Sequence, residues 1–137
     1  MNRAPTTRYA GAASVRARAT VMPEADFLEA VLRLANLYGW RSFHARPAMT
    51  ARGPRTAVAG DGVGFPDLVL VHPRHGLICA ELKRVGARPV PAQEAWRAAL
   101  LAAGVPVYVW WPTDLERLVT VVLRSGDPTR AIAEAQA

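Results

Sequence analysis

Lysine is nearly absent from this sequence, although the sequence has many positively charged residues. Lys and Arg together number 17 among 137 residues, and sixteen of them are Arg, which leaves Lys83 as the single lysine. A lysine amine is compact and its pKa responds to burial, whereas arginine stays charged. Lys83 is therefore a candidate functional residue, because it is the one side chain of its kind whose amine pKa can be adjusted by its surroundings. The alternative explanation is coincidence.

Cysteine is equally scarce, and long apolar runs are missing. Cys79 is the only cysteine, which excludes an internal disulfide and a zinc site built from cysteines. No apolar stretch approaches the roughly 20 residues of a membrane span, and no signal-peptide core is present. These absences predict a protein with no membrane partner in a reducing, cytoplasmic setting.

The composition that is present favours a folded domain with a polyanionic partner. Hydrophobic residues make up 51% of the chain, the formal net charge is +6, and the pI is near 10.7. A chain of this length can bury a core as one domain. Its positive charge favours nucleic acid through counterion release, although composition alone does not separate DNA, RNA and an acidic membrane surface.

Two short apolar runs separated by Pro and Gly predict a β-hairpin. The runs are residues 68–71 and 77–82, and the connection is 72–76, which is a strand-turn-strand pattern. The runs are apolar almost throughout and do not alternate with polar residues. This character predicts strands covered on both faces.

The register of this hairpin decides which polar side chains meet. With a turn centred on Arg74, Asp67 lies opposite Glu81, and Lys83 shares the face of Glu81 because side chains alternate along a strand. Opposed Cβ atoms lie roughly 4.5–5.5 Å apart. A turn centred half a residue later would instead pair Asp67 with Leu82.

Two carboxylates and an amine on a buried hairpin point to metal-dependent phosphate chemistry. Buried charges are normally paired or coordinate an ion, and two adjacent carboxylates repel unless a cation lies between them. Mg²⁺ is typically held by one or two carboxylates, with waters and phosphate oxygens completing the octahedron. Lys83 could then stabilise developing charge or help to deprotonate the attacking water. The pattern predicts Mg²⁺ as the cofactor, with Mn²⁺ as a substitute.

The segment from Pro23 to Tyr38 has helical spacing and carries two candidate glutamates. At roughly 100° per residue, Glu24 falls on the side of the apolar residues and Glu29 on the solvated side. Glu24 is therefore the inward-facing acid. Its alternative role is that of an acid stabilised by the helix dipole in the first turn.

A strand over residues 40–45 leads into a long loop, 46–64, that is rich in Gly, Pro and Arg. Structureless loops of this length are usually functional or disordered, and arginines near a metal site suit phosphate contacts, although a plain solvated loop is the alternative. His44 either contacts a phosphate or is a structural group. The predicted DNA contacts are His44, Arg46, Arg52, Arg55 and Thr56, together with Arg84 and Arg88 after the hairpin.

The last third of the chain predicts a helix, a strand and a second helix. The helix at 91–103 carries Gln93 in its first turn, directed toward the sheet edge, and Trp96, which is expected to pack. The strand at 105–111 follows a helix, so it is expected to run parallel to its neighbour. A capping box at 113–116 predicts the start of the second helix.

Together these residues resemble a known family. Pro66-Asp67 followed by Glu81-Leu82-Lys83 resembles the PD-(D/E)xK nuclease signature. The ExK pattern alone is weak, but its combination with the flanking motifs is specific. The motifs that make residues 22–123 similar to the virus-type replication-repair nuclease (VRR-NUC) domain are Gly64-Phe65-Pro66-Asp67-Leu68, Gln93-Glu94-Ala95-Trp96, and Gly39-Trp40 with His44.

The resemblance implies an α/β restriction-endonuclease-like fold, with a mixed central sheet flanked by helices in the order α-β-β-β-α-β-α. It implies Glu24, Asp67 and Glu81 as metal ligands, Lys83 as the catalytic amine and Gln93 as an accessory. It further implies a DNA endonuclease that acts on branched DNA, including Holliday junctions, in DNA repair. Stand-alone modules of this family are typical of phages and bacteria, so the resemblance implies the cytoplasm of a bacterial or phage-infected cell. Two symmetric cuts would require a homodimer, which is a hypothesis motivated by size alone.

Outside this region we predict a flexible basic arm at 1–21 and a tail at 124–137. The arm has four arginines and no acid. It would add DNA affinity, be inert, or represent an extension upstream of a true start at Met22. For the domain itself three rival readings stay open. It could be a non-catalytic nucleic-acid-binding module, a nuclease with a restriction or end-processing role, or a structural protein whose hairpin charges are internal salt bridges.

Overall fold

A computed structural model describes residues 22–45, 48–55 and 58–126. The predicted basic arm, most of the predicted tail, and the candidate residues Arg46 and Thr56 lie outside this range. The elements in chain order are α1 (Glu24–Leu37), β1 (Arg41–His44), β2 (Ala48–Thr50), β3 (Gly53–Arg55), β4 (Leu68–His72), β5 (Gly76–Leu82), α2 (Pro91–Ala102), β6 (Val107–Trp110), a 3₁₀ turn (Pro112–Asp114), a π-helical turn (Leu115–Val119) and α3 (Thr120–Ser125).

Four of the strands form a mixed sheet in the order β1-β4-β5-β6. β1 pairs with β4, and β4 with β5, in the antiparallel sense, whereas β5 and β6 are parallel. The parallel pair is joined through α2, because parallel strands need a crossover connection. The predicted α/β class, with a mixed central sheet and flanking helices, is confirmed.

The β4/β5 hairpin has the register that the sequence predicts for a turn centred on Arg74. Leu68 pairs with Ala80, and His72 pairs with Gly76. Continuing this ladder by one position places Asp67 opposite Glu81. The alternative register, which pairs Asp67 with Leu82, is wrong.

The core lies between one face of the sheet and the helices α1 and α3. Phe27, Val31 and Ala35 form the apolar stripe of α1, and all three are fully buried. On the sheet, the alternate residues of β4 and β5 that include Leu70 and Ala80 belong to the same cluster. Burying a Phe or Val side chain contributes roughly 1.5–3 kcal/mol each, so this layer fixes α1 against the sheet.

The opposite face of the sheet carries Glu81 and is only partly covered. Helix α2 has no fully buried residue, and Phe43, Val71 and Leu77 are 63%, 43% and 43% exposed. The prediction that both faces of the hairpin are covered is therefore wrong for the end near β1. Near β6, Cys79 and Glu81 are buried.

The prediction of a structureless loop at 46–64 is also wrong. Residues within it form the two-stranded hairpin of β2 and β3, in which Thr50 pairs with Gly53. Gly53 has φ +99°, a conformation that glycine adopts without steric cost. The segment has too few strand-forming residues for periodicity to reveal this pair.

At the C-terminal end the predicted capping box does not form. Asp114 Oδ2 accepts a hydrogen bond from the backbone N–H of Trp111 at 2.8 Å. The chain therefore turns at Pro112, and Thr113 lies inside this turn and is not the first capping residue of a helix. The π-helical turn precedes α3, which ends at Gly126 with φ +65°. In the described ranges, no helix combines the length and apolar character needed to cross a membrane.

Candidate active site

Asp67 lies directly before β4 and is held by two hydrogen bonds. Its Oδ2 accepts the backbone N–H of Leu82 at 2.8 Å. Its backbone oxygen accepts from Nδ1 of His44 at 3.0 Å. The carboxylate thus takes the place of a backbone acceptor at the open end of the hairpin, and this fixes it beside the last residues of β5.

Glu81 is the buried acid of the site, with 4% of its surface exposed. Nε2 of Gln93 donates to its Oε1 at 2.7 Å, and Nζ of Lys83 lies 3.5 Å from the same oxygen. Lys83 is itself largely buried, with 15% of its side chain exposed. The structure therefore brings the four predicted residues of the hairpin and α2 into one group.

Gln93 reaches Glu81 because its position in the helix sets its orientation. It lies in the first turn of α2, and its Oε1 accepts the backbone N–H of Val90 at 2.9 Å. Only the amide oxygen can accept that hydrogen, so the NH₂ group faces Glu81. The same side chain therefore caps the helix and orients the acid.

Burial first, and then the charge of Asp67 and a hydrogen bond between the two carboxyl groups, raise the pKa of Glu81 from 4.5 to about 8, although Lys83 opposes the shift. The neutral acid is favoured where a second carboxylate lies close and water is excluded. At neutral pH the carboxyl pair consequently holds a proton. Burial also raises the pKa of the neighbouring Cys79 thiol, which leaves that residue as an apolar filler.

The donor set of this pair fits a hard divalent cation. Two adjacent carboxylates repel each other, and a cation between them stabilises the ionised form of both. Mg²⁺ accepts such a site, because waters and phosphate oxygens supply its remaining ligands. In the described residues, no three or more His, Cys, Asp or Glu side chains cluster closely enough to hold a metal. Among these described residues the site therefore has two close carboxylates and not three.

Glu24, the predicted third ligand, lies at the start of α1 with an exposed side chain. It borders a cavity of about 320 Å³ that Asp67 and His44 also line. The helical phase that set it apart from Glu29 is confirmed, because Glu29 pairs with Arg33 at 2.6 Å on the exposed side of the helix. Glu24 faces the site across this cavity but does not join the carboxyl pair, and its role as a ligand stays a prediction.

His44 borders the same cavity from β1. A backbone carbonyl can only accept, so Nδ1 of His44 carries the hydrogen that it shares with Asp67. In the neutral ring Nε2 is then an acceptor. The histidine has a hydrogen bond to the backbone of Asp67, which fits the structural one of its two predicted roles.

The predicted DNA-contact arginines occupy different surroundings. Arg84 and Arg88 are exposed in the connector between β5 and α2, next to Lys83 in the chain. Arg52 is exposed in the turn between β2 and β3, and Arg55 ends β3. Arg84 is adjacent in the chain to the carboxyl-amine group, while Arg52 belongs to a separate small sheet.

A clamp between the loop 58–66 and α2 was not anticipated from the sequence. Nε1 of Trp96 donates to the backbone oxygen of Asp61 at 2.7 Å, and its ring meets Phe65 edge to face at 5.0 Å. Gly64, at φ +89°, packs so closely on Ala92 that a Cβ would overlap its backbone. The clamp fixes the segment that delivers Asp67, and Gly64 is the sequence signal that could have revealed it.

Comparisons of the chain with protein-family models, with curated proteins and with solved structures gave no match in any of the three.

Proposed function

We propose that this protein is a Mg²⁺-dependent DNA endonuclease of the PD-(D/E)xK type, similar to VRR-NUC domains. The observation that carries the proposal is the open end of the β4/β5 hairpin. There Asp67 opposes Glu81, while Lys83 and Gln93 lie 3.5 Å and 2.7 Å from the same Glu81 oxygen. Structural proteins have little use for two adjacent carboxyl groups, because their repulsion opposes folding.

In this proposal Asp67 and Glu81 hold the cation. When bound, Mg²⁺ supplies an activated water and polarises the phosphoryl group. Lys83 contributes positive charge where negative charge develops on the phosphate oxygens. Gln93 orients Glu81 from outside, and burial keeps bulk water away from the pair.

The basic composition supports a DNA substrate. The net charge of +6 favours any polyanion, and the connector arginines Arg84 and Arg88 follow the site directly. His44 and Glu24 border the cavity at its other side. These groups bracket the carboxyl pair and support the passage of a phosphate backbone across it.

The finer part of the proposal is selectivity for branched DNA such as Holliday junctions, with two chains acting together as a homodimer. Within the described ranges one chain holds one such carboxyl pair, and symmetric cutting of a junction needs two. Analytical ultracentrifugation of the protein, alone and on a four-way junction, tests this part. A monomer in both conditions would remove junction resolution and leave a simple endonuclease.

The proposed activity is tested by incubating labelled flaps, nicked duplexes, plain duplexes and four-way junctions with wild type and Lys83→Ala, in Mg²⁺, in Mn²⁺ and in a chelator. We expect metal-dependent cleavage by wild type, fastest on a branched substrate, and a loss of roughly 10²–10³ in rate for Lys83→Ala. Equal cleavage by both proteins would point to a contaminating nuclease.

A second candidate is a non-catalytic nucleic-acid-binding module. The observation that favours it is the internal network around Glu81, in which Gln93 and Lys83 satisfy the acid without a cation. In that case DNA is bound, no metal supports cleavage, and Asp67→Ala and Lys83→Ala chiefly lower stability. Binding and cleavage measured on the same preparations separate the two candidates.

A further inference from the structure

A second groove lies on the far side of α2 from the loop clamp, along the outer edge of β6. Its volume is about 470 Å³, within the range of roughly 300–1,000 Å³ that sites for small organic molecules occupy. One wall is the edge strand, with Val107, Val109 and Trp111, and the other is formed by Arg88 of the connector and Arg97 of α2. None of the residues in this groove belongs to the carboxyl pair.

Arg97 has unused hydrogen-bonding capacity toward this groove. Its Nη1 lies 3.4 Å from Oε2 of Glu94, a long and monodentate contact. Across the described residues, its Nε is the one buried side-chain nitrogen or oxygen that has no hydrogen-bond partner. Buried donors are normally satisfied, and an arginine fork binds the paired oxygens of a phosphate in two parallel hydrogen bonds. The Arg97 side chain lines the groove and is 42% exposed, and an oxyanion bound there would supply the partner that its Nε lacks.

The strand edge adds further donors. The backbone N–H groups of Cys79 and Lys83 donate to the carbonyls of Pro106 and Trp110, so those two residues of β6 face β5. Backbone groups alternate in direction along a strand, and β6 is the last strand of the sheet. The peptide groups of Val107 and Val109 thus point away from the sheet, into the groove.

Trp111 supplies an aromatic surface at one end of the groove. Its indole N–H donates to the backbone oxygen of Ala87 at 2.8 Å, which fixes the ring between β6 and the connector. A positively charged groove with a fixed aromatic ring is the arrangement that holds unpaired nucleotides, because any base can stack on the ring. A paired base inside a double helix cannot reach such a ring.

The groove also lies next to the carboxyl pair. Val109 is the register partner of Glu81 in the parallel ladder, and neighbouring strands are about 4.8 Å apart. Glu94, beside Arg97 in the groove, follows Gln93, which holds Glu81. A nucleic-acid strand that occupies the groove, on the outer side of β6, consequently passes about two strand spacings, roughly 10 Å, from β5 and the proposed cleavage site.

From this juxtaposition we infer that the groove between β6 and α2 binds an unpaired nucleic-acid strand, with its phosphate on Arg88 and Arg97 and a base on Trp111. The inference rests on the proposed function for its choice of partner and deepens it, because it names the part of a branched substrate that this protein holds. Binding itself needs neither metal nor cleavage.

The test is the binding of a fluorescein-labelled oligothymidylate, followed by anisotropy in a chelator at low salt. We expect Arg88→Ala and Arg97→Ala to weaken binding about tenfold each, and to reduce the slope of log affinity against log salt by about 0.7 per lost phosphate contact. Arg97→Lys keeps the charge but loses Nε and the fork, so its affinity should stay well below that of wild type. Arg33→Ala is the matched control, since Arg33 is also a helix arginine paired with a glutamate.

A plain duplex with the same number of phosphates is the second probe. Weakening of oligothymidylate binding with little effect on the duplex supports the inference. If Arg88→Ala and Arg97→Ala bind oligothymidylate as tightly as Arg33→Ala does, the inference is overturned. If they weaken the binding of oligothymidylate and of the duplex equally, the assignment to an unpaired strand is overturned. A protein that binds oligothymidylate through the groove but cuts nothing retains this inference and loses the nuclease. If the wild-type protein cuts DNA but Arg88→Ala and Arg97→Ala both bind oligothymidylate normally, the nuclease proposal is retained and this inference is lost.

Discussion

The β4/β5 hairpin gathers titratable side chains at both of its ends, but the two groups differ in how they are satisfied. The open end carries Asp67, Glu81 and Lys83. The turn end carries His72 and His75, whose rings stack at 4.3 Å and lie against Trp40 at 5.2 and 5.8 Å. Sequence composition alone would make either end a candidate site.

At the turn end every polar requirement of His72 is met by the backbone. Its Nε2 donates to the carbonyl of Tyr38 at 3.1 Å, and its Nδ1 accepts the N–H of Arg74 at 3.0 Å. Burial lowers the pKa of His75, and the nearby His72 and Arg74 lower it further. His75 is thus suited to packing as a neutral ring, and the turn end is anchored on the core through Trp40.

At the open end the groups oppose one another. The charge of Asp67 helps to raise the pKa of Glu81, and one amine does not balance both acids. The comparison shows which cluster of ionisable groups is the better candidate for a functional site. It is the one in which the charges of the members are not balanced within the cluster. Substitutions at the two ends of the hairpin should therefore have different effects.

Substitution at the open end should remove cleavage, whereas substitution at the turn end should not. Asp67→Asn keeps the shape of the side chain but removes its charge, and we expect the rate of DNA cleavage to fall by roughly 10²–10³. His75→Phe preserves a ring on Trp40 and should leave the rate essentially unchanged. Initial rates on one labelled junction measure both. A comparable loss in His75→Phe would abolish the distinction between the two ends.

The turn end should instead dominate stability. Trp40 is 5% exposed, and its Nε1 donates to the carbonyl of Leu123 at 2.7 Å. Trp40→Ala should lower the free energy of unfolding by about 3–5 kcal/mol, because it leaves a cavity and an unpaired carbonyl. Urea denaturation followed by far-UV circular dichroism measures this. Asp67→Asn is the comparison, and a larger loss there would reverse the assignment of roles.

The raised pKa of Glu81 makes stability depend on pH. Between 4.5 and about 8 the folded protein binds a proton at Glu81 that the unfolded chain releases. The free energy of unfolding should therefore fall as pH rises through this interval, by at most about 1.4 kcal/mol per pH unit. Glu81→Gln carries no such proton and should show a flatter profile. Parallel profiles for the two proteins, from urea denaturation across the interval, would show that the pKa of Glu81 is ordinary.

The smallest effect is expected at Gln93, which acts through Glu81. Gln93→Ala should reduce cleavage roughly tenfold, as is typical when a group that orients a metal ligand is removed. It should also move the pH dependence of the rate to higher pH, because a donor to the ionised acid is lost. Asn36→Ala, an exposed amide on α1, is the control. A normal pH profile in Gln93→Ala would make Gln93 only a helix cap.

The sequence predicted the parts of the site that depend on local periodicity. The hairpin register follows from the position of Arg74 in the turn, and it places Asp67 against Glu81. Gln93 follows from the start of α2 at Pro91. These features are set by residues close to one another in the chain, so alternation and turn position suffice to define them.

The features that were missed depend on distant segments meeting. Trp96 holds Asp61 from 35 positions away, and Trp111 contacts the connector at Ala87. Helical phase placed Glu24 on the inward side of α1, but phase does not say how far the helix end lies from the sheet. The capping box predicted at 113–116 for the start of the last helix was wrong, because Pro112 favours a turn before Thr113.

The central claim, that Asp67 and Glu81 form a cation-binding pair, is tested most directly by titrating the wild-type protein with Mn²⁺ near pH 7 in calorimetry buffers of different ionisation enthalpy. Metal binding must displace the proton that the pair holds. We predict binding with net proton release that diminishes above pH 8, and no release in Glu81→Gln. Mn²⁺ binding that is unchanged in Asp67→Asn, or binding without proton release near pH 7, would contradict the account.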